Sequence, residues 1–319
     1  VDIVELLLDH GAKIEEVDRE GKTALMWASE QGNYPVVKIL LENYADVNKG
    51  GGVVKTALIR ASCEGHDHVV QLLLDYGAEI NKTTWSATAL TWASQKGHKE
   101  VVELLLDSRA DIDKANKNGV TALMEATEMS NVAVVKLLLD RGAGIDKQEE
   151  EGETALMFAC RHGHVDVVRL LLDRGAEVDK TDIEGWTALH MASINGRNDS
   201  VKVLLERGAD PDKKTHDNRA MARLTGYDET LKIIEDAKGI RVRYFIRRWR
   251  AYFHARAFLR YWDFRAVGRV LVPGNPGYDE AMYEIKKLFR EMGYTSMSFS
   301  DFLRARVRGS AFGHARRDA

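Results

Sequence analysis

The tripeptide Thr-Ala-Leu recurs at Thr23, Thr56, Thr88, Thr121, Thr154 and Thr187, at intervals of 33, 32, 33, 33 and 33 residues. No other feature restricts the fold as much, because self-similarity at a fixed period of this length marks units that stack on one another instead of closing around one core. A second marker keeps the same register. LLLDHGA ends at Ala12, LLENYA at Ala45, LLLDYGA at Ala78, LLLDSRA at Ala110, LLLDRGA at Ala143 and Ala176, and LLERGA at Ala209. The short interval falls between Ala78 and Thr88, so one residue is missing from that loop alone.

Each unit reads physically as a helical pair. Threonine opens a short helix as its N-cap, with the hydroxyl accepting an orphan backbone N–H. Small residues follow (Ala28 and Ser29, Ala61 and Ser62, Ala93 and Ser94, Ala192 and Ser193), allowing helices to approach closely. Gly32, Gly65, Gly97, Gly163 and Gly196 then stop that helix. An amphipathic run such as Val165 to Leu172 makes the second helix, its apolar residues at helical spacing. A polar stretch leads to the next threonine.

These residues resemble the ankyrin repeat, whose T-P-L-H-x-A signature Thr187-Ala-Leu-His-Met-Ala192 fits best. The resemblance covers residues 1–238 and implies an all-α solenoid of helix-turn-helix units with short hairpin tips: about seven units, the first truncated, and a degenerate cap. Alanine stands for the family's proline in all six copies. The histidine survives only as His190, giving way to Met26, Ile59, Thr91, Met124 and Met157. Tyr44 and Arg109 replace a helix-ending glycine, so those turns are expected to be strained or remodelled. After Ala209 the pattern weakens toward the polar terminal unit that a stack needs. The chain opens with Val1 inside a helical run and reads as a fragment with that end uncapped.

The resemblance further implies protein recognition through the tips and the exposed face of each first helix. Carried onto this chain, it nominates Trp85, Lys96, Met129, Glu150, Glu151, Arg161, His162, Ile183 and Trp186 as partner-binding. Trp85, Trp186, Met129 and Ile183 are the anchors, since large apolar side chains at solvated positions are unexplained by the fold; shielding of a neighbouring tip is the alternative. Trp27, Trp92 and Phe158 share one equivalent position and read as framework. The run Glu149-Glu-Glu151 reads as a solvated face, a receptor for a basic ligand, or a surface onto which the cationic tail at 239–319 folds back. Asn48 resembles the asparagine that is hydroxylated in some ankyrin proteins.

Other chemistry dissolves on inspection. Gly51 to Thr56 lacks the second glycine of a phosphate loop. His66, His98 and His164 recur with the repeat, and no third and fourth ligands sit at structural-zinc spacing. Cys63 and Cys160 carry no catalytic signature and cannot staple a chain of 319 residues, which points to a reducing compartment. No cofactor, metal, catalytic residue or small-molecule substrate is expected. No apolar run is long enough to span a membrane. Cytoplasmic residence is expected, with the nucleus as the alternative.

Charge separates a second region. The net charge is −3, yet residues 239–319 alone carry +10, leaving an acidic body. Between Gly239 and Arg265 lie nine aromatics and eight arginines. The spacing predicts a basic amphipathic helix whose Phe245, Trp249, Phe253, Phe258 and Trp262 engage a partner. The 13-residue separations of Phe245 from Phe258 and of Trp249 from Trp262 are similar to calmodulin-binding segments, and Val242 to Arg247 is a faint echo of an IQ motif. Docking of this helix on the last repeat is a competing reading. Two further helices are expected at 278–292 and 300–308, with a disordered end. The chain therefore reads as a non-catalytic scaffold or adaptor with a regulatory tail. The alternative is a protein tethered to nucleic acid or anionic membrane by that tail; nucleic acid is disfavoured because no recognition motif accompanies it.

Overall fold

The computed structural model describes residues 2–51, 53–84, 87–213, 229–230 and 232–234. The tail residues nominated above, the expected helices beyond them, and most of the degenerate cap lie outside the described residues. Among the described residues there are thirteen helices and no strand. They begin with α1 (Asp2–Asp9), ahead of the first complete unit, and continue as six pairs, the first to sixth complete units with tips numbered to match: α2 (Ala24–Glu30) with α3 (Tyr34–Glu42), α4 (Ala57–Glu64) with α5 (Asp67–Asp75), α6 (Ala89–Lys96) with α7 (Lys99–Asp107), α8 (Ala122–Glu128) with α9 (Val132–Asp140), α10 (Ala155–His162) with α11 (Val165–Asp173), and α12 (Ala188–Ile194) with α13 (Asn198–Glu206).

All six threonines cap as their position requires. The Oγ1 atoms of Thr23, Thr56 and Thr88 accept from the backbone N–H of Met26, Ile59 and Thr91 at 3.2–3.3 Å. Those of Thr121, Thr154 and Thr187 do the same for Met124, Met157 and His190, each at 3.4 Å. Such a cap contributes about 1 kcal/mol. The residue three places on returns the bond in several units. Met26 Sδ accepts from Thr23 N–H at 3.5 Å, Met124 Sδ from Thr121 at 3.4 Å, and His190 Nδ1 from Thr187 at 3.1 Å. A thioether is a weak acceptor, which is why methionine can stand where histidine stood.

First helices pack on first helices in one row, and second helices form a looser outer row. Alanine, serine, threonine or cysteine at positions such as Ala61, Ala93, Ala126, Thr127, Ala159 and Cys160 makes the close inner row possible, all fully buried. Tighter spacing on one side bends the stack toward it, making the first-helix side concave. The outer row contributes Val70, Leu73, Val102, Leu105, Val135, Leu138, Val168 and Leu171 to the core.

Three repeated bonds fix the register between units. The loop acceptor reaches the next unit's backbone, as in Glu79 N–H to Asn48 Oδ1 at 2.7 Å, Asp111 to Asn81 at 2.9 Å, Gly144 to Asp113 at 2.9 Å and Glu177 to Asp146 at 3.0 Å. Asn48 shares the accepting role of its repeat equivalents, and its Nδ2 also donates to the Gly77 carbonyl at 3.1 Å, a bond that an aspartate at this position cannot make. The recurring histidines donate from Nε2 to carbonyls of the preceding unit: His66 to Glu30 at 3.1 Å, His98 to Cys63 at 3.0 Å, His164 to Glu128 at 2.8 Å. Asn131 makes the same reach to Ser94 and Gln95. On the outer row Arg141, Arg174 and Arg207 pair with Asp107, Asp140 and Asp173 at 2.6–2.7 Å, contacts worth little at an exposed surface.

The turns at Tyr44 and Arg109 are kept, not remodelled: φ is +65° and +66°, with Ser130 joining them at +58°. The sequence reading overlooked Ser130. Tyr44 is 93% exposed, so its ring contributes little against a left-handed backbone that costs an L-residue roughly 1–2 kcal/mol. Tyr44→Gly is expected to stabilise the chain by about 0.5–1 kcal/mol after the entropy cost of glycine, read as an increase in the urea midpoint. An unchanged or lower midpoint would contradict this account of the turn.

Candidate functional site on the inner face

The hairpin tips project beside the inner row, and their own residues build them. In four tips a side-chain oxygen accepts from the backbone N–H groups two and four residues on. Asp18 serves Glu20 and Lys22, Asn116 serves Asn118 and Val120, Glu149 serves Glu151 and Glu153, and Asp182 serves Glu184 and Trp186, all at 2.8–3.0 Å. Glu149 is thus a tip-building residue. In the third unit, where one residue is missing, Thr84 N–H donates to the Ala87 carbonyl at 3.1 Å, three residues on, whereas the fourth tip joins Asn116 to Val120, four residues on. The stretch at 51–54 that echoed a phosphate loop is a tip closed by Gly51 and Val54.

The fourth, fifth and sixth tips are also bonded to each other. Glu150 N–H donates to the Asn118 carbonyl at 2.9 Å, and Ile183 N–H to the Glu151 carbonyl at 3.1 Å. Glycine makes this approach possible at Gly119 and Gly152, where a Cβ would lie 2.8 Å from backbone atoms of the next tip.

Basic tip residues lie over rings of the inner row, a relation the sequence reading missed. Lys22 Nζ sits 4.1 Å from the Trp27 ring centroid and Lys55 Nζ 3.3 Å from that of Trp92. The Arg161 guanidinium is 5.5 Å from the Phe158 ring. Trp27 is nonetheless exposed, held by its Nε1–H donating to Asp18 Oδ2 at 2.8 Å. The recurrence of a ring at 27, 92 and 158 was the available signal, but the cation's position shifts between units. Burial pushes the Lys55 amine down, with Cys63 opposing, and pushes the Cys63 thiol up. Cys160 sits where other units place a buried serine or threonine, and burial drives its thiol far up.

The nominated residues divide into those that meet and those that stand apart. Glu151, Arg161, Ile183 and Trp186 line one groove of about 440 Å³, together with Glu153, Asp182, Glu184, Met191, Ile194 and Asn195. Ile183 is 63% exposed. Trp186 is half-buried, tilted over His190 with ring centroids 5.9 Å apart. Arg161 forms an ion pair with Glu153, which is only 6% exposed. Met129, 49% exposed, is the C-cap of α8. His162 lies 3.8 Å from a Glu128 carboxylate oxygen and stacks on His164; burial lowers its pKa, and Glu128 works against that. Lys96 is exposed at the end of α6, and Glu150 is exposed on the fifth tip. Trp85 lies outside the described residues. The sequence reading did not nominate Asp182 or Met191; Met191 is buried and shares the repeat position of Trp27, Trp92 and Phe158, which read as framework.

His190 beneath Trp186 is fully buried, and burial pushes its pKa down to about 4 against the opposing charge of Asp182. A depressed histidine pKa means the unfolded chain binds the proton more readily. Its effect is therefore absent above the ordinary value near 6.5 and grows as pH falls from there to about 4. The expected loss is roughly 2–3 kcal/mol across that window. His190→Met, which installs the residue the first, fourth and fifth units already use, is expected to flatten the dependence of the melting temperature on pH between 7 and 4.5. An unchanged slope would contradict it.

No group of three His, Cys, Asp or Glu side chains placed to hold a metal occurs among the described residues. No helix among them is long and apolar enough to cross a membrane.

A family model described as ankyrin repeats, three copies, matches residues 1–51, 58–149 and 141–215. The solved structure of the human ASB11 ankyrin repeat domain is similar with a TM-score of 0.63 and 25% identity, covering 68% of this chain and 98% of that one. The ankyrin repeat domain of Bcl-3, a member of the IkappaB protein family, is similar with a TM-score of 0.60 and 30% identity, covering 67% of this chain and 98% of its own. No curated protein sequence matches the chain.

Proposed function

Because this chain belongs to the ankyrin repeat family, a family of protein–protein interaction modules, we propose that it is a non-catalytic adaptor or scaffold that holds a protein partner on its inner face. The supporting observation is the groove of the fifth and sixth units, where the exposed Ile183 meets Trp186 and carboxylates that make no ion pair among the described residues, on a framework of tips bonded to each other. Exposed apolar side chains gathered in a concavity, with an aromatic among them, have the composition of a binding hot spot. Met129, Lys96, Glu150 and His162 extend the contact along the inner row.

Two further parts belong to the same proposal. Residues 1–238 form the recognition domain, and the basic aromatic region at 239–319 recruits a regulatory partner, its anchors spaced as in a calmodulin-binding segment. Cytoplasmic residence fits two buried cysteines that are both free.

Affinity capture with the full chain and with the Met129→Ser/Ile183→Ser/Trp186→Ala variant tests the reading. The account expects a partner held by the first and lost by the second while both melt cooperatively. Equal capture by the two would overturn it. For the tail, calcium-dependent binding of calmodulin that is abolished by Trp249→Ala/Trp262→Ala is expected; binding independent of those anchors would remove that role.

A further inference from the structure

Charge on the tips and first helices is uneven along the stack. In the fourth to sixth units, residues 116–129, 149–162 and 182–195 carry eight carboxylates against Lys117 and Arg161. Arg161 is committed to the buried Glu153. Among the described residues the groove therefore keeps its negative charge. The Glu151 and Glu184 carboxylates at its edge make no ion pair or side-chain hydrogen bond among the described residues, and the Asp182 carboxylate accepts only from the backbone of its own tip. The floor between them is apolar and aromatic, made by Ile183, Trp186, Met191 and Ile194.

An apolar floor with an anionic rim fits one kind of side chain better than any other. A long aliphatic stem ending in a cation covers apolar surface along its length and places its head among the carboxylates. An arginine does this with a planar head that also stacks on an indole and pairs with a carboxylate through two N–H groups. A purely aliphatic occupant would leave Glu151 and Glu184 facing low-dielectric surface with no counter-charge, and an acidic one would be repelled.

We propose that the groove of the fifth and sixth units receives a basic segment of the partner protein, with an arginine lying across Trp186 and its guanidinium paired to Glu151 or Glu184. This rests on the inner face being the protein-binding surface and adds the partner's chemistry. The N-terminal half of the inner face differs: Lys22, Lys55, Arg60 and Lys96 offset its acids there. The basic segment is thus directed to one end of the stack.

The test uses the full chain and fluorescence anisotropy with a labelled peptide of alternating arginine and leucine. Peptides with glutamate for arginine, or serine for leucine, serve as comparisons. The Arg–Leu peptide is expected to bind most tightly, more weakly as salt is raised past the range where screening reaches contact distances. Glu151→Lys/Glu184→Lys is expected to weaken it by about tenfold or more and to improve the Glu–Leu peptide. Both side chains are exposed and make no ion pair among the described residues, so the variant should melt as the parent does. Failure of the Arg–Leu peptide to bind, or binding indifferent to the double reversal, would overturn the proposal. Tighter binding of the Glu–Leu peptide, lost on Ile183→Ser, would overturn the basic partner while leaving the inner face as a protein-binding surface. The capture experiment above judges that surface independently.

Discussion

Gly152→Ala is expected to lower the stability of the chain by about 3 kcal/mol or more. Two costs combine. The backbone at Gly152 has φ +83°, which penalises an L-residue by roughly 1–2 kcal/mol. The new Cβ would also stand 2.8 Å from the Ile183 nitrogen, so the fifth and sixth tips must separate and lose the bond from Ile183 N–H to the Glu151 carbonyl. Gly175→Ala carries the first cost alone, since Gly175 has φ +89° and nothing within 4 Å of its Cβ position. A urea midpoint for Gly152→Ala well below that of Gly175→Ala is the expected result. Equal midpoints would mean the tips are not in contact. Stability in a stack is a sum of unit and nearest-neighbour terms, so hydrogen exchange should quicken in the fifth and sixth units and change little near α2 and α3.

Arg161→Ala is expected to cost about 2–3 kcal/mol, because it strands a carboxylate that is nearly inaccessible to water. Breaking one half of a buried pair costs up to roughly 3–5 kcal/mol. The value here is lower because the guanidinium itself is about one-third exposed. Adding Glu153→Gln should recover much of the loss, since the second change removes the uncompensated charge. Arg161 was nominated from its position as a partner contact. A variant that keeps the parent's urea midpoint but loses the captured partner would make it a contact residue alone; lost stability with rescue by Glu153→Gln makes it a buttress of the groove.

The architecture was legible because two markers in register carry backbone information directly. A threonine that must cap and a glycine that must take positive φ leave little choice of where a helix begins and ends, and the structure agrees at Thr23, Thr56, Thr88, Thr121, Thr154 and Thr187. The shortened third loop was likewise legible, and appears as the bond from Thr84 N–H to the Ala87 carbonyl. The tip-to-tip bonds were not, because they join backbone atoms of residues about 32 apart whose side chains vary freely. Glu149 looked like one of three solvated acids, yet its carboxylate builds the tip while that of Glu151 has no partner among the described residues; only geometry separates them. The same holds for Arg161, whose partner Glu153 is a tip residue by alignment but turns inward. Ser130 takes the left-handed turn without the glycine that advertises it. The groove itself draws on two consecutive units, and a pattern read one unit at a time cannot show which side chains face each other across that junction.

The central claim, that a protein partner lies along the inner row and tips, is tested most directly by photocrosslinking. A benzophenone amino acid is placed in turn at positions 129 and 183 on the inner face and at 71 and 169 on the exposed outer helices α5 and α11. The account predicts covalent adducts with the captured partner from 129 and 183 and none from 71 or 169. Adducts formed from the outer positions, with the inner ones silent, would contradict it.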